Sequence, residues 1–151
     1  MLAILIDPFD RKVTSIELPA DPDAVWAAMK SHVFPDGGGL LERVCISDTV
    51  CIYIDEEGLL IDWDAQAFFQ LPGMHILAGR AVIVGEEEDS DGYRALLPQW
   101  PEIVENLIKW IDPKDVRVPA PSICDADENL QPVGEPKYFG PKEWTYEQQP
   151  D

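Results

Sequence analysis

Positive charge is what this sequence has least of. Eleven Lys and Arg residues stand against 29 Asp and Glu in a chain of 151, for a formal net charge of −18. Gripping a phosphate backbone takes Lys and Arg to neutralise it, so no direct contact with DNA or RNA is expected. Histidine is scarce too, with His32 and His75 alone. The three cysteines, Cys45, Cys51 and Cys124, are an odd number without a CxxC spacing. That argues against a disulfide framework and for a reducing compartment. No apolar run approaches the roughly 20 residues that cross a bilayer, so no membrane partner is expected. Met1–Ile6 lacks a basic leader and a small-residue cleavage site, and it reads as a first strand instead of a signal peptide. A cytoplasmic protein is the simplest expectation.

Catalytic signatures are missing as well. No GxSxG, HExxH or GxGxxG occurs, and Gly37-Gly38-Gly39 is not followed by Lys-Ser or Lys-Thr, so it is no phosphate-binding P-loop. The sequence shows no legible enzyme and calls for no cofactor.

What is present suits one α+β domain over residues 1–112, a mainly antiparallel sheet with two packed helices and an extended proline-rich arm over 113–151. Leu2–Ile6 and Val13–Leu18 flank Asp7-Pro8-Phe9-Asp10, which is hairpin chemistry. Asp21-Pro22-Asp23 opens a helix to Val33, with Asp21 as cap, Pro22 at the first helical position and Asp23 at the positive end of the dipole. Val44–Ser47 and Val50–Asp55 are strands about an Asp48-Thr49 turn, and Leu59–Ile61 begins a return strand. Residues 64–70 are ambiguous between a helical turn and a loop. Ile76–Val84 is the longest expected strand, with Ala81–Val84 buried on both faces, and Glu86–Gly92 is a hydrophilic loop. Trp100, Ile103, Val104, Leu107, Ile108 and Ile111 form a helical stripe over Pro101–Ile111, closed by Asp112-Pro113. Trp26 and Trp100 are expected to bury against the sheet.

Several residue groups invite a chemical reading. Asp89-Ser90-Asp91-Gly92 resembles the middle of a calcium loop, but with Gly92 at the turn Pro98 falls where the closing bidentate Glu is required. Asp62 and Asp64 flank Trp63 at a spacing that puts both on one side of a strand, suited to a divalent metal or to a small-molecule enzyme. His32 and His75 with Cys45 and Cys51 match no zinc spacing. The two cysteines lie in apolar strands and are expected to pack in the core.

The acidic clusters carry the functional reading. Asp55, Glu56 and Glu57 share a turn, Asp62 and Asp64 follow, and Glu86, Glu87, Glu88, Asp89 and Asp91 crowd a second loop. Residues 1–112 hold 21 acidic and 7 basic side chains and residues 113–151 hold 8 and 4, so most of the imbalance sits in the domain. A negative surface of this kind is complementary to a basic partner, such as a nucleic-acid-binding protein for which it stands in as a nucleic-acid mimic. The arm pairs its prolines with Tyr138, Phe139, Trp144 and Tyr146, which either wrap back on the domain or anchor a partner or second subunit.

The segments Val50-Cys51-Ile52-Tyr53-Ile54-Asp55-Glu56-Glu57-Gly58 and Gly79-Arg80-Ala81-Val82-Ile83-Val84-Gly85, with the Asp7-Pro8 turn, resemble a family of small phage- and plasmid-encoded acidic domains of unknown function. The resemblance lies mainly in residues 1–85. It implies a mobile-element origin and no assigned catalysis, and it brings no site residues. Three functions are therefore expected in order: a non-enzymatic acidic interaction protein that engages or inhibits a basic host protein, a metal-dependent or small-molecule enzyme using Asp62 and Asp64, and an assembly subunit using the aromatic arm.

Overall fold

The computed structural model describes residues 1–87 and 92–116. It opens with a hairpin of β1 (Leu2–Asp7) and β2 (Lys12–Glu17), paired antiparallel from Leu2↔Glu17 to Asp7↔Lys12. The Asp7 carboxylate fixes the turn by accepting from the Phe9 and Asp10 amides. α1 (Pro22–Val33) follows. Asp21 caps it by accepting from the Ala24 amide at 3.3 Å, with Pro22 in the first turn, as the sequence chemistry requires.

A second hairpin joins β3 (Leu41–Ser47) to β4 (Val50–Asp55). Two single turns of 3₁₀ helix, Gly58–Leu60 and Trp63–Ala65, lead to β5 (Phe68–Gln70) and β6 (Leu77–Ala78). β7 (Ala81–Glu86), β8 (Tyr93–Arg94), α2 (Trp100–Leu107) and β9 (Lys109–Ile111) complete the order.

The main sheet runs β2-β1-β7-β4-β3, with β8 paired to β7, and every pairing in it is antiparallel. β7 is the central strand, wedged between the two hairpins. Ala81 to Val84 are fully buried, the continuous apolar run of a strand covered on both faces. One face packs Ala3, Cys51, Tyr53, Val82 and Val84 under Val25, Met29 and Val33 of α1. The other packs Ile4, Ile6, Ile52 and Ile83 against Trp100 and Val104 of α2 and against Phe69 and Leu77 of a small sheet ordered β6-β5-β9. The architecture is α+β: α1, the main sheet, then a mixed layer of short strands and α2.

The structure corrects five details of the sequence reading. The strand expected over Ile76–Val84 breaks at Gly79, whose φ of +87° turns the chain from the small sheet into the large one. The helix expected over Pro101–Ile111 stops at Leu107, because Lys109–Ile111 pair with Phe68–Gln70 and satisfy an edge of β5 that a further helical turn would leave open. Leu59–Ile61 is no strand, since Gly58 begins a 3₁₀ turn pressed against the Ala78 carbonyl. Trp26 is exposed at the rim of the sheet, edge-on to Tyr53 with ring centres 5.9 Å apart. Cys45 is exposed on the edge strand, whereas Cys51 is buried.

The ambiguous stretch 64–70 resolves into the end of a 3₁₀ turn and β5. The arm over residues 117–151, with Tyr138, Phe139, Trp144 and Tyr146, lies outside the described residues, as does Cys124. No helix among the described residues is long and apolar enough to cross a membrane.

Candidate functional site

Strand alternation gathers one polar cluster on the α1 side of the main sheet. Register sets Arg43 opposite Tyr53 and Cys45 opposite Cys51 across β3 and β4, while Cys51 opposes Val84 across β4 and β7. Glu86 continues the same face two residues beyond Val84. Arg43 grips its carboxylate through Nη2 at 2.7 Å from Oε1 and through Nε at 3.1 Å from both oxygens. The Tyr53 hydroxyl donates to Oε2, and Tyr93, paired with Glu86 from β8, sets its ring beside that of Tyr53.

Burial alone would push the Glu86 carboxyl up, but hydrogen bonds from Arg43 and Tyr53, with the Arg43 charge, hold it below its ordinary value. Burial raises the Tyr53 phenol, and its bonds to Glu86 and Tyr93 add to that. The bond to Glu86 raises Arg43. Burial raises the Cys51 thiol, followed by the charges of Cys45 and Glu86. A carboxylate saturated by donors and kept ionised has little capacity as a base. The cluster instead ties the edge strand β3 to the central strand, and it withdraws Glu86 from the free negative surface.

A different chemistry occupies the far end of β4. Asp55 ends the strand and accepts from the Glu57 amide at 2.9 Å, which shapes the turn and turns Glu56 and Glu57 to solvent. The Glu56 amide donates to the Leu40 carbonyl, drawing the loop before β3 alongside. The Asp62 carboxylate caps the next 3₁₀ turn by accepting from the Asp64 amide at 3.1 Å. Among these acids stand apolar side chains without cover: Leu40 is 61 % exposed and Leu60 80 % exposed, and Ile61 is also exposed. A cavity of about 280 Å³ opens here, with Glu42, Asp55 and Glu56 beside Leu59, Leu60 and Ile76. A second, of about 210 Å³, is lined in part by Asp36, Asp55, Phe34 and Ile61. Arg80 lies at its edge, occupied by Asp7 at 3.5 Å and by the ring of Phe9.

The acids singled out in the sequence thus fall into two places. The first set, Asp55 to Glu57 with Asp62 and Asp64, follows the end of β4 in the chain, and Asp55 and Glu56 of that set line the cavity. Glu86 and Glu87 lie by the start of β4, where the Glu86 amide donates to Thr49, roughly 16 Å away at the usual rise per residue. Glu88, Asp89 and Asp91 lie outside the described residues. Among the described residues no group of three or more His, Cys, Asp or Glu side chains could hold a metal ion, neither about Asp62 and Asp64 nor between the histidines and cysteines. The sequence reading singles out neither Arg43 nor Tyr53, and it weighs Cys45 and Cys51 as zinc ligands and core residues without their pairing. Their signal, two polar residues at alternate positions in each arm of one hairpin, is visible only with the register in hand.

Residues 1–109 match a family model described as a domain of unknown function, DUF3846. No curated protein and no solved structure matches the chain.

Proposed function

The chain belongs to the DUF3846 family, a domain of unknown function, and from that premise we propose that it is a non-enzymatic acidic interaction protein whose partner is a protein with a basic surface. The observation that carries the reading is the mixture at the end of β4, where Glu42, Asp55 and Glu56 line a cavity with Leu59, Leu60 and Ile76, and where Leu40, Leu60 and Ile61 are exposed. Carboxylates alone serve solubility. Large apolar side chains held in water beside them suit a surface that is covered when a partner arrives.

The cavity of about 280 Å³ fits a Lys or Arg side chain of that partner. Its alkyl stem would lie along Leu59 and Leu60 and its cationic head would meet Glu42, Asp55 and Glu56. A protein that binds nucleic acid presents such side chains, and the carboxylates would take the place of phosphates. The mobile-element origin implied by the sequence resemblance agrees with a chain that meets and blocks such a host protein.

The reading is tested by immobilising the full chain and capturing proteins from the cell it comes from at low salt. We expect basic proteins to be retained and to elute as salt shortens the Debye length from about 30 Å at 0.01 M to 8 Å at 0.15 M. Glu56→Lys with Glu57→Lys should abolish the capture, and Leu60→Ser should weaken it at least tenfold, the equivalent of about 1.4 kcal/mol. Capture of no basic protein, or capture indifferent to all three substitutions, rejects the proposal.

A further inference from the structure

We propose that Cys45 and Cys51 form a reversible dithiol site, oxidised to a cross-strand disulfide by a low-molecular-weight disulfide such as oxidised glutathione. The two residues are direct partners in the antiparallel register of β3 and β4, and their sulfurs lie 3.7 Å apart. Opposed residues of an antiparallel pair have Cα atoms roughly 4.5–5.5 Å apart, within the roughly 4.4–6.8 Å that a disulfide spans. Side-chain rotation is therefore enough to close the bond, and no backbone rearrangement is required. The register shift immediately after Cys45 marks a bulge on the edge strand, a place where local twist adjusts readily.

The two thiols are unequal in a way that sets the order of events. Cys45 is exposed and Cys51 is buried. Cys45 is the group that glutathione disulfide can reach. Its thiolate attacks one sulfur of the reagent, the reagent's sulfur–sulfur bond breaks, and one glutathione thiolate leaves, so that a mixed disulfide stands on Cys45. Cys51 then attacks the Cys45 sulfur, the bond to the second glutathione breaks, and the proton of Cys51 passes to that departing thiolate. Two protein thiols are oxidised and one glutathione disulfide is reduced to two glutathione molecules. Burial raises the Cys51 thiol, which makes this second step the slower one. The product welds the edge strand β3 to β4 at the level of the Arg43, Tyr53 and Glu86 cluster.

The test uses the full chain with Cys124→Ser, so that Cys45 and Cys51 are the remaining thiols. After equilibration with oxidised glutathione, free thiols are alkylated and the protein is cut with trypsin. Residues 44–79 contain no Lys or Arg, so both cysteines share the one peptide that ends at Arg80. We expect that peptide to lose two hydrogens, to resist alkylation and to carry no glutathione, with both thiols restored by excess reduced glutathione. A Cys51→Ser substitution should instead leave glutathione attached to Cys45. Full alkylation of both thiols, or a glutathione adduct that persists on Cys45 while Cys51 is alkylated, overturns the proposal. The Cys124→Ser chain alone decides the matter if the Cys51→Ser chain fails to fold.

Discussion

Glu86 receives Arg43 and Tyr53 together, and its ionised form is the one those donors favour. Its folded-state titration lies below the ordinary value of 4.5. The stability it supplies is therefore complete above about pH 4.5, the unfolded value, and is lost as pH falls through the lower folded value. Glu86→Gln should flatten this part of the acid limb, read as the difference between wild-type and variant urea midpoints at pH 7 and pH 3. Tyr53→Phe, which removes one donor to the carboxylate and keeps the ring against Trp26 and Tyr93, should cost about 1–2 kcal/mol at pH 7 in the same assay. An acid limb identical in wild type and Glu86→Gln would show the cluster to be energetically idle.

The same scale shows why part of the site was hidden in the sequence. Counting back from the Asp48-Thr49 turn, Ser47 opposes Val50, and a regular ladder would then set Cys45 opposite Ile52 on the other face from Cys51. The irregularity between Cys45 and Ser47 moves the pairing by one residue and brings the cysteines face to face. A slip of one position exchanges the two faces of a strand, and nothing in the residues around Ile46 announces it. The Asp21 cap was readable because it depends only on its immediate neighbours.

Elements were legible where local pattern and tertiary need coincide. β7 looked buried on both faces and is, since four consecutive apolar residues have no other stable setting here. The end of α2 was not legible, because its apolar stripe continues through Ile108 and Ile111 while the demand for a strand comes from Phe68–Gln70, some forty positions earlier. Gly85 is a further case in which the partner decides. A Cβ there would lie 2.6 Å from the Arg94 carbonyl oxygen and 3.0 Å from its Cγ. Gly85→Ala should force β8 from β7 and destabilise the fold by about 1–3 kcal/mol. Urea unfolding measures the loss, and faster hydrogen exchange at the Glu87 amide, which donates to the Gly92 carbonyl beside β8, would locate it at that pairing.

For the whole molecule, net charge was plain from composition but its distribution was not. The clusters at 55–64 and 86–87 are separated along β4, and Arg43 neutralises Glu86. Of the acids that remain, Glu42, Asp55 and Glu56 share a cavity with Leu59, Leu60 and Ile76, a neighbourhood that only the folded chain reveals. The sequence signalled these acids, while Leu40 is set against Glu56 by a backbone hydrogen bond that continues the β3–β4 ladder one pair beyond Leu41 and Asp55.

The strand order carries a consequence for synthesis. Each hairpin can zip locally as it leaves the ribosome, yet β1 and β4 have no contact in the sheet until β7 slides between them. A nascent chain released only to Arg80 should therefore be two unjoined ribbons, readily cut by protease, and the same chain extended past Glu86 should become resistant in one step. Arrested chains of both lengths, probed on the ribosome, would show whether the last-made central strand is the keystone of assembly.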